Sequence, residues 1–84
     1  MEITGKLKNA KYYGTKAAQF LIGNVYNDVR GKYQDGEEIR SSPIVSYSKS
    51  LGDDGLYITK TSTWDVEFDK DFIKGLKDNV VHKD

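Results

Sequence analysis

The chain has 84 residues, 37% of them hydrophobic and 31% charged, with no cysteine, one histidine and one proline. That length holds one small domain, and the missing thiols exclude a disulfide framework, a thiolate nucleophile and a Cys-ligated metal. Thirteen Lys/Arg balance thirteen Asp/Glu, so no strong non-specific attraction to DNA or to an anionic membrane is expected. No apolar run approaches the ~18 residues of a membrane span, and the polar opening at residues 1–11 is unlike a signal peptide.

The first two-thirds patterns as strand. Glu2–Lys8 alternates, with Ile3, Gly5 and Leu7 on one face, and Lys11–Lys16 reads as a turn or strand end. Ala17–Asn27 is apolar on both faces, as in a central strand; Phe20 and Ile22 are assigned to the core. Asp35-Gly36 is a hairpin signal, because glycine takes the positive φ that tight turns require. Glu37–Ser42 follows as a short strand, and Pro43 lacks a ladder donor, which places this junction at an edge or bulge. Ile44–Ser50 is the next strand, Gly52-Asp53-Asp54-Gly55 the second hairpin turn, and Leu56–Thr61 and Ser62–Phe68 two further strands. Trp64, Val66 and Phe68 share one face, opposite Asp65 and Glu67.

At the tail the period changes. Asp69 or Asp71 can cap a helix over about 69–80, with Phe72, Leu76 and Val80 in one stripe widened by Ile73, and residues 81–84 are expected to fray. The pattern predicts a mainly β domain, a small bent sheet or an SH3-like or OB-like barrel, with a short C-terminal helix. Its core draws on Ile3, Leu7, Phe20, Ile22, Ile44, Tyr47, Ile58, Trp64, Val66 and Phe68. A core this small supplies only ~3–5 kcal/mol, so association into a homo-oligomer is expected.

Catalytic equipment is sparse. The one histidine, His82, stands three residues from the end of the chain, where nothing is expected to hold an imidazole in place. Asp65, Glu67 and Asp69 alternate along a strand and do not match a calcium loop. Glu37-Glu38 and Asp53-Asp54 are adjacent pairs whose side chains diverge on a strand. No catalytic residue, metal site or cofactor is therefore expected.

Binding chemistry is better supplied. Six of the ten aromatic residues are tyrosines, more than a core of this size accommodates. Tyr12, Tyr13, Tyr26 and Tyr57 are candidates for a partner interface, because tyrosine gives rigid contact area with a polar tip. Alternatively each covers a neighbour on a sheet face. Arg40, Ser41 and Ser42, together with Tyr33 and Lys60, form a candidate anion site: a guanidinium fork beside hydroxyls suits a phosphate or carboxylate. Thr59, Lys60, Thr61, Ser62 and Thr63 form a second hydroxyl-rich patch with one ammonium, and if strands 37–42 and 59–63 pair, the two patches converge on one anionic ligand. The bland alternative pairs Arg40 with Glu37 or Glu38 and turns the serines onto backbone. Charge is polarised: residues 1–33 hold six basic and two acidic residues, and residues 34–84 hold seven and eleven.

The block Gly31-Lys32-Tyr33-Gln34-Asp35-Gly36-Glu37-Glu38-Ile39-Arg40-Ser41-Ser42-Pro43-Ile44, followed by Thr59-Lys60-Thr61-Ser62-Thr63-Trp64-Asp65-Val66-Glu67, resembles small bacteriophage- and prophage-encoded proteins that share this layout. The likeness covers about residues 2–68 and carries no catalytic residue with it. It implies a viral accessory protein in the cytoplasm of an infected bacterium. Such a protein would be a non-enzymatic anti-defence binder, docking on a host protein or sequestering a small nucleotide signal. A single-stranded nucleic-acid-binding barrel and a virion or assembly component are the alternatives; the zero net charge counts against nucleic acid.

Overall fold

The computed structural model describes residues 2–81, and the side chains of the C-terminal helix as far as Leu76. Six strands and one helix follow in chain order: β1 (Gly5–Gly14), β2 (Gln19–Tyr26), β3 (Glu38–Arg40), β4 (Ile44–Tyr47), β5 (Gly55–Thr59), β6 (Thr63–Phe68) and α1 (Lys70–Val81). They form one open, mixed sheet in the order β3-β2-β1-β6-β5-β4. Two antiparallel meanders, β1–β2–β3 and β4–β5–β6, meet along a parallel β1/β6 pair. The mainly β architecture with a C-terminal helix is the expected one; the expected fraying falls largely on residues outside those described.

Both edge strands, β3 and β4, are joined by only Ser41, Ser42 and Pro43. Six strands laid flat would separate their outer edges by about 24 Å, whereas four Cα steps reach at most about 14 Å. The sheet therefore curls until its edges approach. Hydrogen bonds hold the connection on both sides. Ser41 N–H donates to Leu21 O (2.8 Å), and the Ser41 hydroxyl accepts from Leu21 N–H (2.8 Å). Toward the other edge, Ser42 Oγ accepts from Thr61 N–H (3.1 Å) and Pro43 O from Lys60 N–H (3.0 Å).

A bulge sets the inner face of β1. Lys8 pairs with Asn24 and Lys11 with Ile22, so Asn9 and Ala10 together oppose Gly23. Asn9 takes φ 53°, a conformation asparagine tolerates better than most residues. Inward parity thus changes from Gly5 and Leu7 to Ala10 and Tyr12. Strict alternation ended this strand at Lys8; the bulge lets it continue to Gly14. A side chain at Gly23 would meet Lys8 O at 3.1 Å and the Ala10 Cα at 3.2 Å, so even a methyl group would press the two strands apart by a few tenths of an ångström.

Leu7, Ala10, Leu21, Val25, Ile39, Tyr57, Trp64, Val66 and Phe68 make the buried core. Four of these were expected: Leu7, Trp64, Val66 and Phe68. In β2 the faces are reversed: Leu21, Gly23 and Val25 point inward, because Leu7 pairs with Val25 and Tyr12 with Leu21. Phe20 and Ile22 are half-buried on the outer face. β5 turns Tyr57 and Thr59 inward and leaves Ile58 half-buried, because Tyr57 is the register partner of Trp64. Ile44 is half-buried against the core, while Ile3 and Tyr47 are more than 40% exposed.

Asp69 caps α1: its Oδ1 accepts from the N–H groups of Asp71 (2.9 Å) and Phe72 (3.3 Å). Phe72 then packs edge-on against Tyr12 (5.5 Å) and tilted against Tyr13 (5.9 Å), which lays the helix over its own sheet.

Replacing Ser41 with alanine removes a hydroxyl buried to 8% exposure that satisfies a strand amide. Chemical denaturation should show a loss of about 1–3 kcal/mol. The control Ser46→Ala, on the exposed face of β4, should stay within about 0.5 kcal/mol.

Candidate functional site

The curl leaves a cleft of about 150 Å³ where the edges approach, between the loop after β2, the end of β3 and the β5–β6 turn. Arg30, Lys32 and Arg40 line it, and no carboxylate is among the lining residues. Ser42, Thr61 and Ser62 add hydroxyls, and Tyr33 and Trp64 add rings.

Asp28 builds the loop that carries the first two cations. Its Oδ1 accepts from Arg30 N–H (3.0 Å), and its Oδ2 from Lys32 N–H (2.9 Å) and Tyr33 N–H (3.0 Å). Burial opposes ionisation of this carboxyl. The three amides, with the Arg30 guanidinium 3.5 Å away, outweigh burial and hold its pKa below the usual carboxylate value. Arg30 also lies over the Trp64 ring, 5.9 Å from its centroid. Trp64 is 2% exposed, and its Nε1 is the one buried side-chain polar atom without a hydrogen-bond partner among the described residues. An unsatisfied buried donor is costly, and this one belongs to a cleft-lining side chain.

Four of the five residues expected to bind an anion, Tyr33, Arg40, Ser41 and Ser42, line this cleft. Lys60 does not; it is exposed beside it. Arg40 stacks on Phe20, its guanidinium carbon 4.1 Å from the ring centroid, and is not paired with Glu37 or Glu38 within 4.0 Å. The two hydroxyl patches do approach, through Ser42 Oγ and Thr61 Oγ1 at 3.1 Å. They meet by way of the Ser41–Pro43 connection and not by pairing of β3 with residues 59–63. The Ser41 hydroxyl is spent on Leu21 N–H and Ser42 O, so its part in the cleft is to hold the wall.

Sequence reasoning missed Arg30 and Lys32. The signal available was Asp28 placed two and four residues ahead of them, in the register of a carboxylate that closes its own loop.

The tyrosines proposed as an interface separate. Tyr57 is 1% exposed and belongs to the core, which corrects its assignment to a partner surface. Its hydroxyl accepts from Gly52 N–H (3.0 Å) and donates toward the carbonyls of Ser50 (3.0 Å) and Asp53 (2.9 Å), so the phenol ties down the β4–β5 turn from beneath. Tyr12 is half-buried between Phe68 and Phe72. Tyr13 and Tyr26 lie on the outer face. No cluster of three or more metal-ligating side chains occurs among the described residues. No helix among them is long and apolar enough to cross a membrane.

Two pH responses follow. Asp28, whose pKa is lowered in the fold, adds stability above the ordinary carboxylate value near 3.8 and loses it as the pH falls further. Asp28→Asn should flatten the acid limb of a stability–pH curve measured by denaturation. Burial pushes the Tyr57 phenol up to about 12, so its contribution is complete below an ordinary tyrosine value of about 10 and fades as pH rises toward 12. Tyr57→Phe should lose about 1–3 kcal/mol at neutral pH and lack that alkaline decline.

No protein-family model, curated protein or solved structure matches the chain.

Proposed function

We propose that the chain is a non-enzymatic binding protein that captures a small phosphorylated ligand, of the nucleotide-signal class, at the cationic cleft. The carrying observation is the meeting of Arg30, Lys32 and Arg40 with the hydroxyls of Ser42, Thr61 and Ser62 in one cleft whose lining includes no carboxylate. A phosphate would neutralise Lys32 and Arg40 and share Arg30 with Asp28. Sites that engulf a whole organic ligand run from about 300 Å³ upward, so a cleft of about 150 Å³ takes the anionic head group and leaves the remainder outside. Tyr33, half-buried at the same cleft, offers a ring for a base to stack on.

The resemblance to bacteriophage proteins supplies the setting: a cytoplasmic protein of the infected cell that neutralises a host or defence component by withholding its ligand. A homo-oligomer, in which a second copy encloses the protruding part of the ligand, belongs to the same reading. Docking on a host protein is less well supported, because Tyr12 and Tyr57 face inward while Tyr13 and Tyr26 lie outside.

Calorimetric titration with nucleoside monophosphates, the matching nucleosides and inorganic phosphate tests this. Phosphorylated compounds should bind and nucleosides should not. Arg40→Ala and Arg30→Ala should each weaken binding at least about tenfold, the loss of one charge-assisted hydrogen bond, and Lys60→Ala should leave it unchanged. Absence of binding to every phosphorylated compound at millimolar concentration would refute the proposal.

A further inference from the structure

The outer face of the first meander carries a second pattern, which shares only Arg40 with the cleft. Register places Lys6, Lys8, Lys11 and Tyr13 of β1 outward, opposite Tyr26, Asn24, Ile22 and Phe20 of β2. Arg40 extends this face onto β3, opposite Ile22. Cations and rings already associate here: the Lys8 ammonium is 5.2 Å from the Tyr26 centroid, and Arg40 lies over Phe20. Tyr13 is 42% exposed. Glu38 is the only acidic residue of these three strands. Immediately beyond, β6 presents Asp65 beside Lys6, with Glu67 following.

We propose that this face is a track for single-stranded nucleic acid. Alternate residues of a strand stand about 7 Å apart, so the three lysines form a line that can follow an extended phosphate backbone. The rings of Tyr26, Phe20 and Tyr13 flank that line where unpaired bases can stack. The carboxylates of β6 repel a polyanion on one side and confine it to the β1–β3 side. A duplex would leave the rings without partners, because its bases are already stacked on each other. The zero net charge of the chain does not oppose this arrangement, because the charges are segregated by strand.

Fluorescence anisotropy with labelled ten-nucleotide oligothymidylate and oligouridylate is the direct test. Binding should appear at low salt and weaken with a log–log slope near −2, as expected for about three neutralised phosphates on a single strand. Lys8→Glu combined with Lys11→Glu should lower affinity at least about tenfold, and Tyr13→Ala at least about fivefold. Should the charge-reversed variant fail to fold by circular dichroism, Lys8→Gln with Lys11→Gln replaces it, with the same direction expected. Arg30→Ala, in the cleft, should leave oligonucleotide binding intact, which separates this track from the phosphate site. The proposal is overturned if no binding occurs at the lowest salt. It is also overturned if duplex DNA or dextran sulfate binds as well as the single strands. Sedimentation showing self-association that the lysine variants abolish, without oligonucleotide binding, would assign the face to a second copy of the chain and reject the track.

Discussion

A three-residue connection between the two outermost strands governs this structure. Because Ser41–Pro43 cannot span a flat six-stranded sheet, the sheet has to curl. Because it curls, a single layer of strands can enclose its own apolar face. The inward residues of both meanders then meet around Trp64, and a domain of 84 residues obtains a core without a second sheet. Hydrogen bonds from β2 on one side and from the β5–β6 turn on the other fix the connection, so the edges are stapled although they do not pair with each other.

The cleft is a by-product of the same constraint. Edges that approach without pairing leave a gap, and the gap opens on whatever the neighbouring loops present. Here the loop after β2 presents two cations, held by the Asp28 carboxylate through backbone amides. Positioning through amides leaves the lysine ammonium and much of the guanidinium free to meet an external anion. Asp54 fastens the opposite end of the sheet, but there the carboxylate takes up its cation directly. It accepts from Phe68 N–H (2.9 Å) and Lys70 Nζ (2.8 Å), and joins the β4–β5 turn to the start of α1.

Local chemistry made much of the fold legible. Pro43 announced an edge, the Gly52–Gly55 run a turn, and Asp69 a helix cap, and each signal depends on a backbone preference that tertiary contacts do not override. What escaped was decided by register. β2 is apolar on both faces, so alternation could not say whether Phe20 or Leu21 points inward; pairing with Leu7 and Tyr12 decides it. The bulge at Asn9 is equally invisible to a period-two pattern, because it breaks the period. In the cleft, the Arg40–Ser42 cluster stood out in the chain because its members are adjacent. Arg30 and Lys32 enter only once Asp28 has folded the loop around itself, and the one sign of this in the chain is the spacing of Asp28, two and four residues ahead of them.

The parallel pairing of β1 with β6 bears on how the chain must be made. Thr4 Oγ1 accepts from Thr63 N–H across 59 residues of sequence, and Leu7 finds its neighbour Val66 only when the last strand exists. During synthesis the first meander can close on itself, yet one side of its central-facing strand stays an open edge until β6 has left the ribosome. Long-range closure of this kind slows folding and prolongs the exposure of an unpaired, apolar edge. The lysines and the single-residue bulge along β1 are features that discourage pairing with the wrong strand, so they guard the nascent chain during that interval.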